Sequence, residues 1–240
     1  MTRPALFIDD GGVMNENARR ARQWQRLVGP YFSSRLGGAS QAWTAANADV
    51  AHRLSAEYET HFNADPRASF SKYWATYQEA WLGGMCTAVG VALPADRAAW
   101  SRLCRECEAF VTRRVRAAYP GVIQAVRRLH AAGYVLRTAS GERSWELQGY
   151  LIGMGVRGCF VDLCGADLVD TAKASQRFYE RVFGHAGVAP DDALVVDDSE
   201  QALDWAADLG AQTVLCHPAA PTNGRHLHVR RLADLSSLLT

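Results

Sequence analysis

Five short apolar runs punctuate the chain: 4–9 (PALFID), 134–138 (YVLRT), 159–163 (CFVDL), 193–197 (ALVVD) and 212–216 (QTVLC), most of them ending on a polar residue. They are continuous rather than alternating, which is the pattern of strands covered on both faces. Segments 144–154, 173–186 and 200–209 between the later runs have helical length, and 121–132 places apolar residues at 122, 123, 126 and 129, as a helix does. Strands and helices in this alternation predict βαβ units around a parallel sheet, a Rossmann-like α/β core. The polar residues that close such strands gather along one edge, where open parallel sheets bind ligands.

Residues 15–118 have a different texture. They are rich in Ala, Arg and aromatics, contain five of the seven tryptophans (24, 43, 74, 81 and 100), and show no strand-like run. Segments 39–62, 70–82 and 95–117 read as helices, separated by NADPRAS and GGMCTAVGVALP. The expected organisation is a core domain of 1–14 and 119–240, with 15–118 as an inserted all-helical domain over it. Tyr119-Pro120-Gly121 marks the return to the core, and the tail 217–228 reads as loop. Tryptophans at this irregular spacing are expected in the insertion's core.

Composition narrows the chemistry. The net charge of +1 gives no electrostatic reason to expect nucleic acid or an anionic membrane as a partner. No apolar stretch approaches the ~18 residues of a membrane-spanning helix. The N-terminus lacks the pattern of a signal peptide, so a cytoplasmic monomer or homodimer is expected. Six scattered cysteines imply free thiols, and the lone Cys104-x-x-Cys107 has no second pair to complete a zinc site. Only two lysines occur, Lys72 and Lys173, so a lysine at a strand edge stands out among 24 arginines.

Collected along the strand edge are Asp9 and Asp10 after the first run, Thr138, Ser140 and Gly141 after the second, Lys173 opening a helix, and Asp197 and Asp198 after the fourth. Carboxylates, a hydroxyl and a lysine that converge this way suit metal-assisted phosphoryl transfer. The acids hold Mg²⁺, the lysine and hydroxyl bind phosphate oxygens, and one Asp attacks phosphorus. Alternation along an extended chain puts Asp9 and residue 11 on one face and turns Asp10 away. Residue 11 is a glycine.

The segments LFIDDGGVM, GYVLRTASG and TAKASQRFYERVFGHAGVAPDDALVVDDSEQAL resemble, in order, the four motifs of the haloacid dehalogenase superfamily, most of whose members are phosphatases. The likeness covers 4–14 and 119–216, and the helical insertion after the first motif is similar to the family's C1 cap. The resemblance implies Asp9 as nucleophile and Ser140, with Gly141, as the phosphate-binding turn. It implies Lys173 as the phosphate-binding lysine and Asp198, with Asp197 beside it, as metal ligands. Mg²⁺ would be completed by Asp9 and the backbone carbonyl of the residue after Asp10, here Gly11.

In the family's phosphatases the residue two after the nucleophile is an Asp that protonates the leaving group, and Gly11 lacks it. Dehalogenases also lack it, but they use no metal and carry a Ser/Asn-rich fourth motif, unlike VVDDSE. Phosphonoacetaldehyde hydrolases have a small residue there but need a cap lysine, for which Lys72 is the one candidate. The expectation is a magnesium-dependent phosphatase or phosphotransferase acting on a small phosphorylated metabolite. A phosphonatase-like or dehalogenase-like hydrolase, or a catalytically impaired ligand-binding protein, are the alternatives. Asp10 is expected as a capping or structural residue, Glu200 as an early-helix acid, and Arg19, Arg20 and Arg22 as a solvated face. Ser140 could also cap the helix beginning near Glu142.

Overall fold

The computed structural model describes residues 3–222 and 224–239; residues 1, 2, 223 and 240, assigned to the core by sequence, lie outside the described residues. One six-stranded parallel sheet runs in the order β3-β2-β1-β4-β5-β6, formed by β1 (Ala5–Ile8), β2 (Leu136–Ser140), β3 (Phe160–Gly165), β4 (Ala193–Asp197), β5 (Gln212–Cys216) and β6 (Leu227–Val229). The expected Rossmann-like α/β core is therefore present. β1 pairs with β2 on one side, Ile8 opposite Thr138, and with β4 on the other, Ile8 opposite Val196. This register brings the C-terminal ends of β2, β1 and β4 side by side.

Strand residues alternate between two buried layers. Leu6, Ile8, Leu194 and Val196 face α5 (Val122–Ala131) and α6 (Ser144–Met154), whereas Phe7, Val195, Ala139 and Cys164 face α7 (Gln176–Ala186) and α8 (Glu200–Asp208). Burial on both sides explains why these strands read as apolar runs. β2 starts two residues later than the sequence predicts. Gly133, at φ +85°, closes the turn after α5, and Val135 stays exposed at the sheet's rim. Segment 217–228 is not wholly loop: β6 begins at Leu227 and adds an edge strand.

Between β1 and α5 lie α1 (Asn17–Leu36), α2 (Ser40–Ala64), α3 (Phe70–Val89) and α4 (Arg97–Thr112). α1 has no counterpart among the predicted helices, because its Arg-rich start and internal Pro30 hide the pattern. Its buried side is Val28, Gly29, Tyr31 and Phe32. A Cβ on Gly29 would stand 2.1 Å from Thr44 Oγ1, so glycine is what lets α1 and α2 close on each other. α3 continues seven residues past its predicted end, through Gly83-Gly84, because Met85 and Cys86 are buried; it stops at Gly90, φ +75°. Gly149 on α6 meets α4 in the same way, where a Cβ would approach Thr112 Oγ1 to 1.9 Å. Aliphatic and aromatic residues of α1–α4, among them Phe32, Trp43, Trp81 and Met85, thus form one continuous core with Leu6, Ile8 and Leu147 of the sheet and α6.

All six cysteines are free, with Cys104 and Cys107 buried in α4. Among the described residues no helix is long and apolar enough to cross a membrane.

Candidate active site

The strand ends place three carboxylates together. Asp9 directly follows β1, its amide donating to Val196 O of β4 at 2.9 Å, and Asp197 closes β4 with Asp198 next to it. One oxygen each of Asp9, Asp197 and Asp198 lie within 4.8 Å of one another. Lys173 joins them: Nζ donates to Asp9 Oδ1 at 2.9 Å, to Asp197 Oδ2 at 2.5 Å and to Ala139 O at 3.3 Å. Contrary to expectation, Lys173 does not open a helix. It lies in the loop after β3, three residues before α7, and this loop carries it across the ends of β2 and β1.

Burial opposes the charged forms of Asp9 and Lys173, and pairing outweighs it only at Lys173. It pushes the Asp9 carboxyl up to about 7, against the pull of Lys173 and with a further push from Asp197. Burial works against the Lys173 ammonium as well, but Asp197 and Asp9 outweigh it and hold its pKa well above the ordinary lysine range. Asp197 also accepts from Tyr179 Oη at 2.9 Å (Oδ2) and from the Ser199 amide at 3.0 Å (Oδ1). Both its oxygens are therefore engaged, Oδ2 with Lys173 and Tyr179 and Oδ1 with the Ser199 amide. Asp198 is half-buried, and burial and Asp197 raise its pKa.

The DDGG loop is built around a buried Asp10. Its carbonyl accepts from the amides of Met14 and Asn15, and its carboxylate accepts from Asn15 Nδ2 at 2.8 Å and Arg20 Nη1 at 2.6 Å. Asp10 is structural, as expected, and points away from Asp9's partners. Gly12 takes φ +82°, and a Cβ there would fall 1.8 Å from Asp198 Oδ2, so only glycine lets Asp198 sit against this loop. A Cβ on Gly11 would come 2.7 Å from Asn17 Oδ1 and 3.1 Å from Arg20 Nη2. The space an acid would enter at position 11 is thus bordered by α1, and Arg20 belongs to the site rather than to a solvated face. Arg19 and Arg22 are exposed, as expected.

Ser140 is the last residue of β2 and buried; its Oγ accepts from the Glu142 amide at 3.4 Å. It does not cap a helix. α6 starts at Ser144, whose amide and hydroxyl both donate to Asp167 at 2.6 Å. Gly141 follows with a Cβ position 3.6 Å from Lys173 Cβ. Glu200 starts α8, as expected, and accepts from Thr222.

Above these residues opens a cavity of about 730 Å³ between the strand ends and α1–α4, lined by Asp9, Gly11, Ser140, Gly141 and Lys173 at its floor. Trp24, Tyr58, Trp74, Tyr77 and Tyr150 form apolar wall, so Trp24 and Trp74 are not simply core as the sequence suggests. Its polar wall is an ion network. Arg143 pairs with Glu108 at 2.9 Å and Glu146 at 2.5 Å and lies 3.6 Å over the Trp74 ring. Arg20 pairs with Glu142 at 2.8 Å. Burial opposes the Glu146 carboxylate, but Arg143 holds its pKa below the usual range.

Asp170, at φ +45°, fastens the loop carrying Lys173 to the insertion by accepting from Ser69 Oγ and the Ser71 amide at the start of α3. Lys72 is exposed and does not line the cavity. Glu108, Glu142, Arg143, Glu146 and Tyr179 escape sequence reading as site residues, and Arg20 is read there only as a solvated face. The closely spaced charges of GERSWE, residues 141–146, are a signal that could have drawn attention to Glu142, Arg143 and Glu146.

A family model described as haloacid dehalogenase-like hydrolase matches residues 16–210, more than half of the chain, beginning just after the Asp9 loop. No curated protein matches the sequence. Among solved structures, the L-2-haloacid dehalogenase of Xanthobacter autotrophicus is 16% identical, aligning over 99% of this chain and 98% of its own with a TM-score of 0.62. A magnesium-bound HAD hydrolase of Bacillus subtilis is 15% identical over 100% of both chains, TM-score 0.61. A HAD phosphatase of Thermococcus onnurineus is 17% identical over 98% of this chain and 97% of its own, TM-score 0.57. At these identities the likeness establishes the fold.

Proposed function

The chain belongs to the haloacid dehalogenase-like hydrolases, and from that premise we propose that it is a magnesium-dependent phosphatase acting through an aspartyl-phosphate at Asp9. The observation that carries this reading is the all-oxygen group of Asp9, Asp197 and Asp198 at the strand ends, next to a lysine bound to two of its members. Carboxylate oxygens without nitrogen or sulfur suit a hard cation such as Mg²⁺. Asp9, Asp198 and the Gly11 carbonyl would hold it, with Asp197 behind them keeping Lys173 in place. When bound, the ion supplies positive charge for the phosphoryl oxygens and screens the carboxylates from one another.

The chain's own residues supply the rest. Lys173 orients the Asp9 carboxylate through the 2.9 Å contact and favours its ionised form against burial, and its ammonium faces the same floor as Ser140. Ser140 Oγ and Lys173 Nζ offer donors to phosphoryl oxygens while Asp9 Oδ attacks phosphorus. The organic part of a small phosphorylated metabolite fits the cavity above, which lies within the usual range for such ligands.

The dehalogenase reading draws on the Xanthobacter likeness and on Gly11, and is opposed by the acidic group, which metal-free attack on carbon has no use for. The phosphonatase reading needs an imine-forming lysine, and Lys72 stands outside the cavity. A panel of phosphate esters assayed with and without Mg²⁺ tests the proposal. Turnover should require the ion and vanish in Asp9→Asn. Turnover that survives Asp9→Asn, or halide release from 2-haloacids without metal, sinks it.

A further inference from the structure

We propose that Glu142 is the acid–base residue of this site, supplying from the end of β2 the proton that an acid at position 11 would have supplied; the inference rests on the phosphatase reading above. Its ground is the shared neighbour of the two positions. Arg20 Nη2 stands 3.1 Å from where a Cβ on Gly11 would lie and 2.8 Å from Glu142 Oε1. A single guanidinium nitrogen therefore separates the Glu142 carboxyl from the vacated place. Glu142 lines the same cavity as Asp9, Ser140 and Lys173, and 30% of its side chain remains open, toward that cavity.

The other acids here are committed. Asp10 is fully buried and accepts from Asn15 and Arg20. Glu108 accepts from Arg143 and from Trp145 Nε1, and Glu146 accepts from Arg143 at both oxygens. Glu146 lies near enough to Glu142 to oppose a second negative charge there. Arg143, bonded to both of its oxygens, holds Glu146 as the carboxylate. Of the two, Glu142 is the one that takes up a proton more readily. Consistently, burial pushes the Glu142 carboxyl up to about 7, with Arg20 pulling it down and Glu146 and Asp10 pushing it further up. The groups facing it from the surrounding elements are Arg20 of α1, Tyr58 of α2, Tyr77 of α3, and Glu146 and Tyr150 of α6. The tyrosines stay neutral, because burial raises their pKa values.

In the first step Asp9 Oδ forms a bond to phosphorus, the bond from phosphorus to the leaving-group oxygen breaks, and the Glu142 proton passes to that oxygen. Alcohol departs, leaving an aspartyl-phosphate and a Glu142 carboxylate. In the second step water attacks phosphorus while Glu142 takes its proton; phosphate leaves and both carboxyls return to their starting forms.

Leaving-group dependence tests this, with Mg²⁺ present and wild type, Glu142→Gln and Asp9→Asn compared on an alkyl phosphate and on p-nitrophenyl phosphate. An alkoxide needs the proton to leave, whereas nitrophenolate does not. Glu142→Gln, which retains the contact to Arg20, should lose ~10²–10⁴-fold on the alkyl phosphate. On p-nitrophenyl phosphate it should release nitrophenolate in a rapid burst and then turn over slowly, because the second step still lacks its base. Equal losses on both substrates without a burst, or no loss on either, overturn the role of Glu142 while the phosphatase reading stands. Wild type inactive on both, or an active Asp9→Asn, overturns the phosphatase reading and this inference with it. Should Glu142→Gln not fold, the wild-type pH profile decides. kcat/KM for the alkyl phosphate should fall above about pH 7 while the nitrophenolate burst rate does not, and parallel profiles contradict the proposal.

Discussion

Gly12→Ala separates what the Asp9 loop demands of its backbone from what the fold demands of its core. Gly12 holds φ at +82°, where an alanine is strained by about 1–2 kcal/mol. The new Cβ would also meet Asp198 Oδ2 at 1.8 Å, far inside van der Waals contact, so the carboxylate must leave its position. Asp198 is half-buried and can rotate toward solvent. The backbone strain should therefore appear as lost stability, and the steric conflict as lost metal affinity. Urea denaturation should show a loss of about 1–2 kcal/mol. Calorimetric titration should show Mg²⁺ binding weakened by roughly 10- to 100-fold, the range seen when a ligand's placement is disturbed. Gly11→Ala is the control. Gly11 is not in the left-handed region, and its Cβ would meet only the ends of Asn17 and Arg20, so its cost should stay within about 0.5 kcal/mol. Equal stabilities of the two variants, or an unchanged Mg²⁺ affinity in Gly12→Ala, would refute the reasoning.

Lys173→Met leaves the buried Asp9 and Asp197 facing each other without their shared cation, which should cost about 3–5 kcal/mol near pH 8. The loss should shrink toward pH 5 as Asp9, whose carboxyl burial raises to about 7, protonates, and thermal melts across that range check it. Gly149→Ala drives a Cβ to 1.9 Å from Thr112 Oγ1, at the closest approach of α6 to α4, and should cost about 1–3 kcal/mol by denaturant unfolding. Glu142→Gln should change the pH dependence of stability. The folded carboxyl titrates near 7 against 4.5 unfolded, so wild type holds the corresponding stability below about pH 4.5 and loses it as pH rises to 7. At about 1.4 kcal/mol per tenfold change in acidity, reduced for the opening to the cavity, the variant should gain about 1–2 kcal/mol on wild type between pH 4.5 and 8.

What could be read from the sequence, and what could not, follows from the range of the interactions. β1, β4 and β5 were legible because both faces are buried and the apolar run alone marks them. Asp9, Ser140, Asp197 and Asp198 were legible because each stands at or beside a strand end, and topology brings strand ends together; Lys173, in the loop between β3 and α7, was legible from the scarcity of lysine and its place in the third motif. α1 was not, since its buried side is short and includes Gly29, whose value lies in the approach of Thr44 from another helix. Arg20, Arg143 and Glu142 were illegible for the same reason: each is an ordinary surface residue until α1, α4 and α6 close on one cavity. Gly11 could be recognised as a missing acid from its place in the motif. That Arg20 links this place to Glu142 is a tertiary fact with no local signature.

The most direct test of the central claim is the chemical state of Asp9 during turnover. The protein is mixed with excess phosphate ester and Mg²⁺, quenched in acid within a turnover, digested, and the peptide carrying Asp9 is weighed by mass spectrometry. One added phosphoryl group on Asp9 is expected, absent without Mg²⁺ and absent in Asp9→Asn. An unmodified Asp9 during active hydrolysis, or a carbon ester on Asp9 formed from a 2-haloacid in the absence of metal, would contradict it.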